Sequence, residues 1–105
     1  MIQGTTPVHT FSLGAEFQAL TEQGLESLYV TYAQLGSVVV EKTLDDVSLE
    51  EGSVVTSLTQ EETLQFNPDA PVEIQIRFLT RDNQEAYATN ILTEPVERVL
   101  KAGVI

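Results

Sequence analysis

SVVTSLTQEETLQFNPDAPVEIQIRFLTRDNQEAYATNIL, residues 53–92, is the stretch that decides the fold. Its clearest segment is Val72–Thr80, where Val72, Ile74, Ile76 and Phe78 alternate with Glu73, Gln75 and Arg77. A period of two marks a strand with one apolar and one wet face, and the apolar face demands a second layer to cover it. Upstream, residues 53–58 are rich in β-formers and run into Thr59-Gln60-Glu61-Glu62, an S/T-x-x-E capping box. In such a box the Thr59 hydroxyl accepts from the Glu62 amide, and the Glu62 carboxylate accepts from the Thr59 amide. One capped helical turn is predicted there, ending at Phe66 before Asn67 and Pro68, so that Thr59, Glu62 and Phe66 form a structural corner. Downstream, residues 81–84 (RDNQ) read as a polar hairpin loop. Residues 85–92 then read as a last strand, with Tyr87, Thr89 and Ile91 alternating against Ala86, Ala88, Asn90 and Leu92.

Toward the N-terminus, residues 1–6 lack periodicity and read as an extended arm. Pro7 has no amide donor, which suits the start of an edge strand, and His9, Phe11 and Leu13 then share one face. Residues 14–24 read as a partly helical crossover between Gly14 and Gly24. Residues 27–34 place Leu28, Val30 and Tyr32 on one face of a second strand. After a break at Leu35-Gly36 comes SVVVEKT, Ser37–Thr43, whose run Val38–Val40 suggests burial on both sides for part of its length. Residues 47–49 form a short strand between two acidic turns. The expectation is therefore an all-β fold: a seven-stranded antiparallel immunoglobulin-like sandwich over residues 7–95, with one capped turn between the fifth and sixth strands. The first, second, fourth and fifth strands would form one sheet, and the third, sixth and seventh the other. Residues 96–105 would be an apolar tail.

A chain of 105 residues with 42% hydrophobic residues can bury one core without staples, and the absence of cysteine removes disulfides, thiolate metal sites and thiol nucleophiles. No basic and apolar leader opens the sequence, and Val38–Val40 is far too short to span a bilayer, so no membrane partner is expected. A net charge of −11 argues against a nucleic-acid groove, which works by neutralising phosphates. Asp45, Asp46, Glu50 and Glu51 lack the spacing of a calcium loop and read as a solvated face. His9, the lone histidine, stands at the start of a strand, where a histidine is more often packed or solvated than catalytic. Neither an enzyme nor a cofactor is expected. The charge is unevenly spread: residues 1–76 hold twelve acidic residues against Lys42 alone, whereas residues 77–105 balance four acidic with four basic side chains. A neutral, apolar-tipped end on an acidic body is a candidate docking element, and with the N-terminal arm it singles out Met1, Ile2, Val99, Leu100, Val104 and Ile105.

The opening MIQGTTPVHTFSL, the central VTYAQ (30–34), the corner LTQEETLQF (58–66) and the strand VEIQIRFLT (72–80) together resemble a family of small uncharacterised proteins encoded by tailed bacteriophages and prophages of Gram-positive bacteria, particularly gut Firmicutes. The resemblance runs over nearly the whole chain and carries no active-site residues. It implies a virion or assembly role, similar in outline to immunoglobulin-like modules that decorate phage capsids or sit in upper baseplates. The partners it implies are other virion proteins, a major capsid or fibre protein, with the chain present as a homo-oligomer or in many copies. It also implies a place in the virion after assembly in the host cytoplasm. Beside a capsid decoration or head-fibre anchor stand a tail or baseplate adaptor, an early intracellular regulator, and a carbohydrate-binding module for which Tyr29 and Tyr87 would be the free aromatic rings.

Overall fold

In the computed structural model, which describes residues 1–105, the alternation of residues 72–80 becomes the central strand of the larger of two antiparallel sheets. In chain order the elements are β1 (Val8–Ser12), α1 (Ala15–Gln23), β2 (Leu25–Gln34), β3 (Ser37–Thr43), a 3₁₀ turn (Leu44–Asp46), β4 (Ser48–Glu50), β5 (Ser53–Ser57), α2 (Gln60–Leu64), β6 (Val72–Thr80), β7 (Ala86–Ala88) and β8 (Leu92–Glu94). The smaller sheet has the order β1-β5-β4. The larger runs β3-β2-β6, with β7 and β8 both paired to the far edge of β6. Their facing sides bury Phe11 and Val54 from one sheet and Leu28, Val30, Tyr32, Ile74, Ile76 and Phe78 from the other. No helix is long and apolar enough to cross a membrane.

Two sheets of antiparallel strands agree with the expected β architecture, but there are eight strands rather than seven. The second strand also lies in the other sheet: β2 sits between β3 and β6, not beside β1. Alternation states which face of a strand is apolar and is silent about its neighbours. The short Leu35-Gly36 turn ties β2 to β3, and the long run from Leu25↔Thr80 to Ala33↔Glu73 ties β2 to β6. The last strand is also different. Between β7 and β8, three residues (89–91) oppose only Gln75 and Ile76, so one extra residue is inserted. Such a bulge exchanges the faces of everything beyond it. Tyr87 therefore points to the core side with its partner Phe78, Leu92 points there with Ile74, and Ile91 is turned outward beside Thr31 and Gln75. Thr89 holds the bulge: its amide donates to the Ile76 carbonyl (2.9 Å) and its hydroxyl accepts from the Ile76 amide (3.1 Å).

A second bulge explains the valine triplet. Tyr32 pairs with Val40 but Ala33 pairs with Val38, leaving Val39 unpaired. Val40 is buried, Val39 half-buried and Val38 exposed, so the run is not buried on both sides. The crossover at residues 14–24 is a nine-residue helix, flanked by Gly14 and Gly24 with φ of 96° and 101°. Phe17 anchors it edge-on against Phe78 at 5.0 Å. Gly52 receives the start of this crossover, its carbonyl accepting from the Leu13 and Gly14 amides at 2.8 and 3.2 Å. A Cβ at Gly52 would lie 2.7 Å from the Gly14 oxygen, where φ is also 82°, so only glycine fits there.

Candidate docking surface

The corner that positions this surface forms as its sequence requires. Thr59 Oγ1 accepts from the Glu62 amide (3.1 Å), and Glu62 Oε1 accepts from the Thr59 amide (2.9 Å). Lys42 Nζ, brought alongside by β3, donates to the same carboxylate oxygen at 2.8 Å. Burial opposes ionisation of Glu62, but the Lys42 ammonium and the Thr59 amide together outweigh it and hold the carboxyl below its ordinary range. Phe66 is buried beside Tyr32, their ring centres 6.1 Å apart. The buried Thr63 hydroxyl donates to the Thr5 carbonyl at 2.8 Å and so fastens α2 to the N-terminal arm.

Against this corner the two ends of the chain meet. The Met1 ammonium donates to Pro95 O (2.8 Å) and Glu94 Oε1 (3.2 Å). The Glu97 amide donates to Met1 O (2.8 Å) and the Gln3 amide to Glu97 O (2.9 Å), a parallel bridge between Ile2 and Glu97. Gln3 extends the tie: its Nε2 donates to Phe66 O at 2.7 Å, and its Oε1 accepts from the Val99 amide at 3.3 Å. Val96 is buried in the core, so the tail becomes peripheral only beyond it. Gln60 on α2 grips the last residue, with Oε1 accepting from the Ile105 amide (2.8 Å) and Nε2 donating to the Ile105 carbonyl (3.3 Å).

All six docking candidates thus belong to one end of the molecule, with different exposures. Met1 and Val99 are half-buried, Val99 lying near Leu64 beside Gly4. Ile2 and Val104 are exposed, and Leu100 and Ile105 are almost wholly so, at 91% and 89%. An open depression of about 490 Å³ lined by Thr6, Ser57, Thr59, Gln60 and Val104 lies beside them. Backbone amides from Leu100 to Val104 make no hydrogen bond within the chain. An apolar segment with unpaired amides and exposed side chains is chemically suited to pairing with another polypeptide.

Elsewhere, His9, Tyr32 and Asp46 are engaged in contacts within the fold. No three His, Cys, Asp or Glu side chains converge as metal ligands. His9 Nδ1 lies 2.8 Å from the Tyr32 hydroxyl between the sheets; burial lowers the imidazole pKa and raises that of the phenol. Asp46 caps the 3₁₀ turn, accepting from the Thr43 amide (2.9 Å) and hydroxyl (3.0 Å), which depress its carboxyl pKa. T-x-x-D at 43–46 is the cue that would have separated Asp46 from its solvated neighbours. Tyr29 and Tyr87 point to opposite faces of the larger sheet, paired with Arg77 and Phe78 respectively, and do not form a shared platform. The sequence reading missed Gln34. Its buried amide donates to the Asn67 and Ala70 carbonyls at 2.7 and 2.9 Å and accepts from the Asn67 amide at 2.7 Å, holding the loop that follows the corner. A lone glutamine at a core-facing strand position was the only signal. Compared with family models, curated proteins and solved structures, the chain matches none.

Proposed function

We propose that this protein is a structural module of a bacteriophage particle, a two-sheet β decoration or head-fibre-anchoring element of the capsid that acts through protein–protein contacts. The observation that carries this is the tail: Leu100 and Ile105 are exposed on a segment that carries none of the acidic excess of a chain whose net charge is −11. Exposing such residues costs solubility, and a partner that covers them recovers roughly 1.5–3 kcal/mol for each large aliphatic side chain. The phage setting rests on the sequence resemblance, and the mode of action on the tail. Particles purified from the phage or prophage that encodes the chain should contain it in many copies per particle by quantitative mass spectrometry. A few copies would move the site to the tail or baseplate, and absence from particles would overturn the proposal.

A further inference from the structure

The four sheet edges are unequally protected. The β3 edge has a bulge at Val39 and the charges of Glu41 and Lys42; β4 is three residues long and ends in Glu50; β7 and β8 are three residues each, separated by a bulge, with Glu85 preceding β7 and Glu94 ending β8. These are the devices by which proteins keep edges from pairing. β1, VHTFS, has none of them: five residues without a charge, a bulge or an internal proline. Leu13 and Leu58 donate to Gly52 and Pro7, so odd-numbered residues of β1 bond to β5, and the backbone groups of Val8, Thr10 and Ser12 point away from the sheet.

Below that edge the layers do not match in width. Leu92 lies on the core-facing side of β8 opposite Ile74, yet it is 51% exposed. A groove of about 260 Å³ runs between them, lined by Thr10, Phe11, Leu13, Ile76 and Leu92. The smaller sheet is one strand short on its β1 side. An isolated extended segment laid along β1 would complete the smaller sheet and cover Leu92.

We infer that the position beside β1 takes the C-terminal segment of a second copy of this chain, added as a strand. Residues 100–104 (LKAGV) match β1 in length, about 17 Å when extended. They alternate correctly, with Leu100, Ala102 and Val104 directed toward Phe11 and Leu92 while Lys101 and Gly103 face solvent. Their amides are unpaired within the chain, as are the outward groups of β1. Charge is complementary, since Arg98 and Lys101 are two of only five cations and the body they meet is strongly acidic. A strand of this length buries roughly 1,000 Å² in total, the low end of specific interfaces. It suits head-to-tail linkage of copies concentrated on a particle, which is how heterologous contacts build rings or filaments.

This inference rests on the tail being a docking element, and complementation separates the two. Removing 99–105 deletes the donor strand, and Val8→Lys, at an exposed side chain, places on the acceptor edge a charge that repels Arg98 and Lys101. Each change alone should weaken self-association at least about tenfold in sedimentation equilibrium. An equimolar mixture should form a discrete one-to-one dimer, because one partner keeps the tail and the other keeps the slot. Separately, since the chain has no cysteine, Thr10→Cys and Gly103→Cys chains should join by an intermolecular disulfide faster than an Asp45→Cys and Gly103→Cys control. Failure of the mixture to dimerise, or a Thr10→Cys/Gly103→Cys chain that closes only on itself, overturns the second-copy assignment. The role of the tail toward other particle proteins is read independently, from incorporation into particles.

Discussion

Replacing Gln34 tests how the end-of-chain surface is supported. Its amide reproduces a backbone pairing for the loop 67–70, with three hydrogen bonds of 2.7–2.9 Å, and the residue is buried. Gln34→Ala removes all three. The Asn67 groups lie near solvent and regain water, so each costs about 0.5–1 kcal/mol, whereas the Ala70 carbonyl is buried and costs about 1–3 kcal/mol when orphaned. The total is about 3 kcal/mol, a fall in Tm of at least roughly 12 °C for a domain of this size. Gln34→Glu retains the bond from the Asn67 amide but sets a carboxylate against two carbonyl oxygens. It should be the worse variant at neutral pH and should recover as its carboxyl is protonated, because the acid form again offers one donor. Urea unfolding of the three proteins at pH 5 and pH 7 measures this. A Gln34→Ala loss below about 0.5 kcal/mol, or a Gln34→Glu variant insensitive to pH, would refute the assignment of Gln34 as the clamp.

Three further outcomes follow from the geometry. Glu62 has a folded-state pKa below its unfolded value, so its contribution is complete above the unfolded pKa of about 4.3 and is lost as pH falls through the folded one; Glu62→Gln should cost ~1–2 kcal/mol at pH 7, with the gap to the parent closing toward pH 3 in thermal melts. Leu35 holds φ of 51° at the β2–β3 turn while 82% exposed, a conformation that asparagine tolerates better, so Leu35→Asn should raise stability by about 0.5–1 kcal/mol in urea titrations. Thr56 is buried with its hydroxyl unpartnered, so Thr56→Val should be neutral or stabilising by up to about 1 kcal/mol, read by the same titration.

Much of the fold was legible where one physical rule acted alone. Residues 72–80 show unbroken alternation and form β6 with those same bounds; Thr59 and Glu62 satisfy a capping box that needs only local chain geometry. Legibility failed where a single inserted residue changes the outcome. Val39 and the bulge at 89–91 each shift register by one, and nothing in the local composition marks either. It failed again where neighbours had to be chosen: Leu28, Val30 and Tyr32 announce an apolar face but fit against β1 or β6 equally well by pattern. The candidate surface was legible as two apolar ends. Their meeting was not, because the Ile2–Glu97 bridge and the Gln3 and Gln60 contacts join residues 45 to 96 positions apart through backbone groups that carry no sequence signature.

In the proposed role the tail docks this protein into a larger assembly while the corner and sheets hold it in place. The most direct measurement of that role is incorporation of the chain lacking residues 99–105 into particles, made alongside the intact chain and counted by quantitative mass spectrometry, with circular dichroism of the purified variant as the control for folding. A folded variant present in particles at under about a tenth of the intact level is the predicted result. A folded variant incorporated at the intact level would contradict the account.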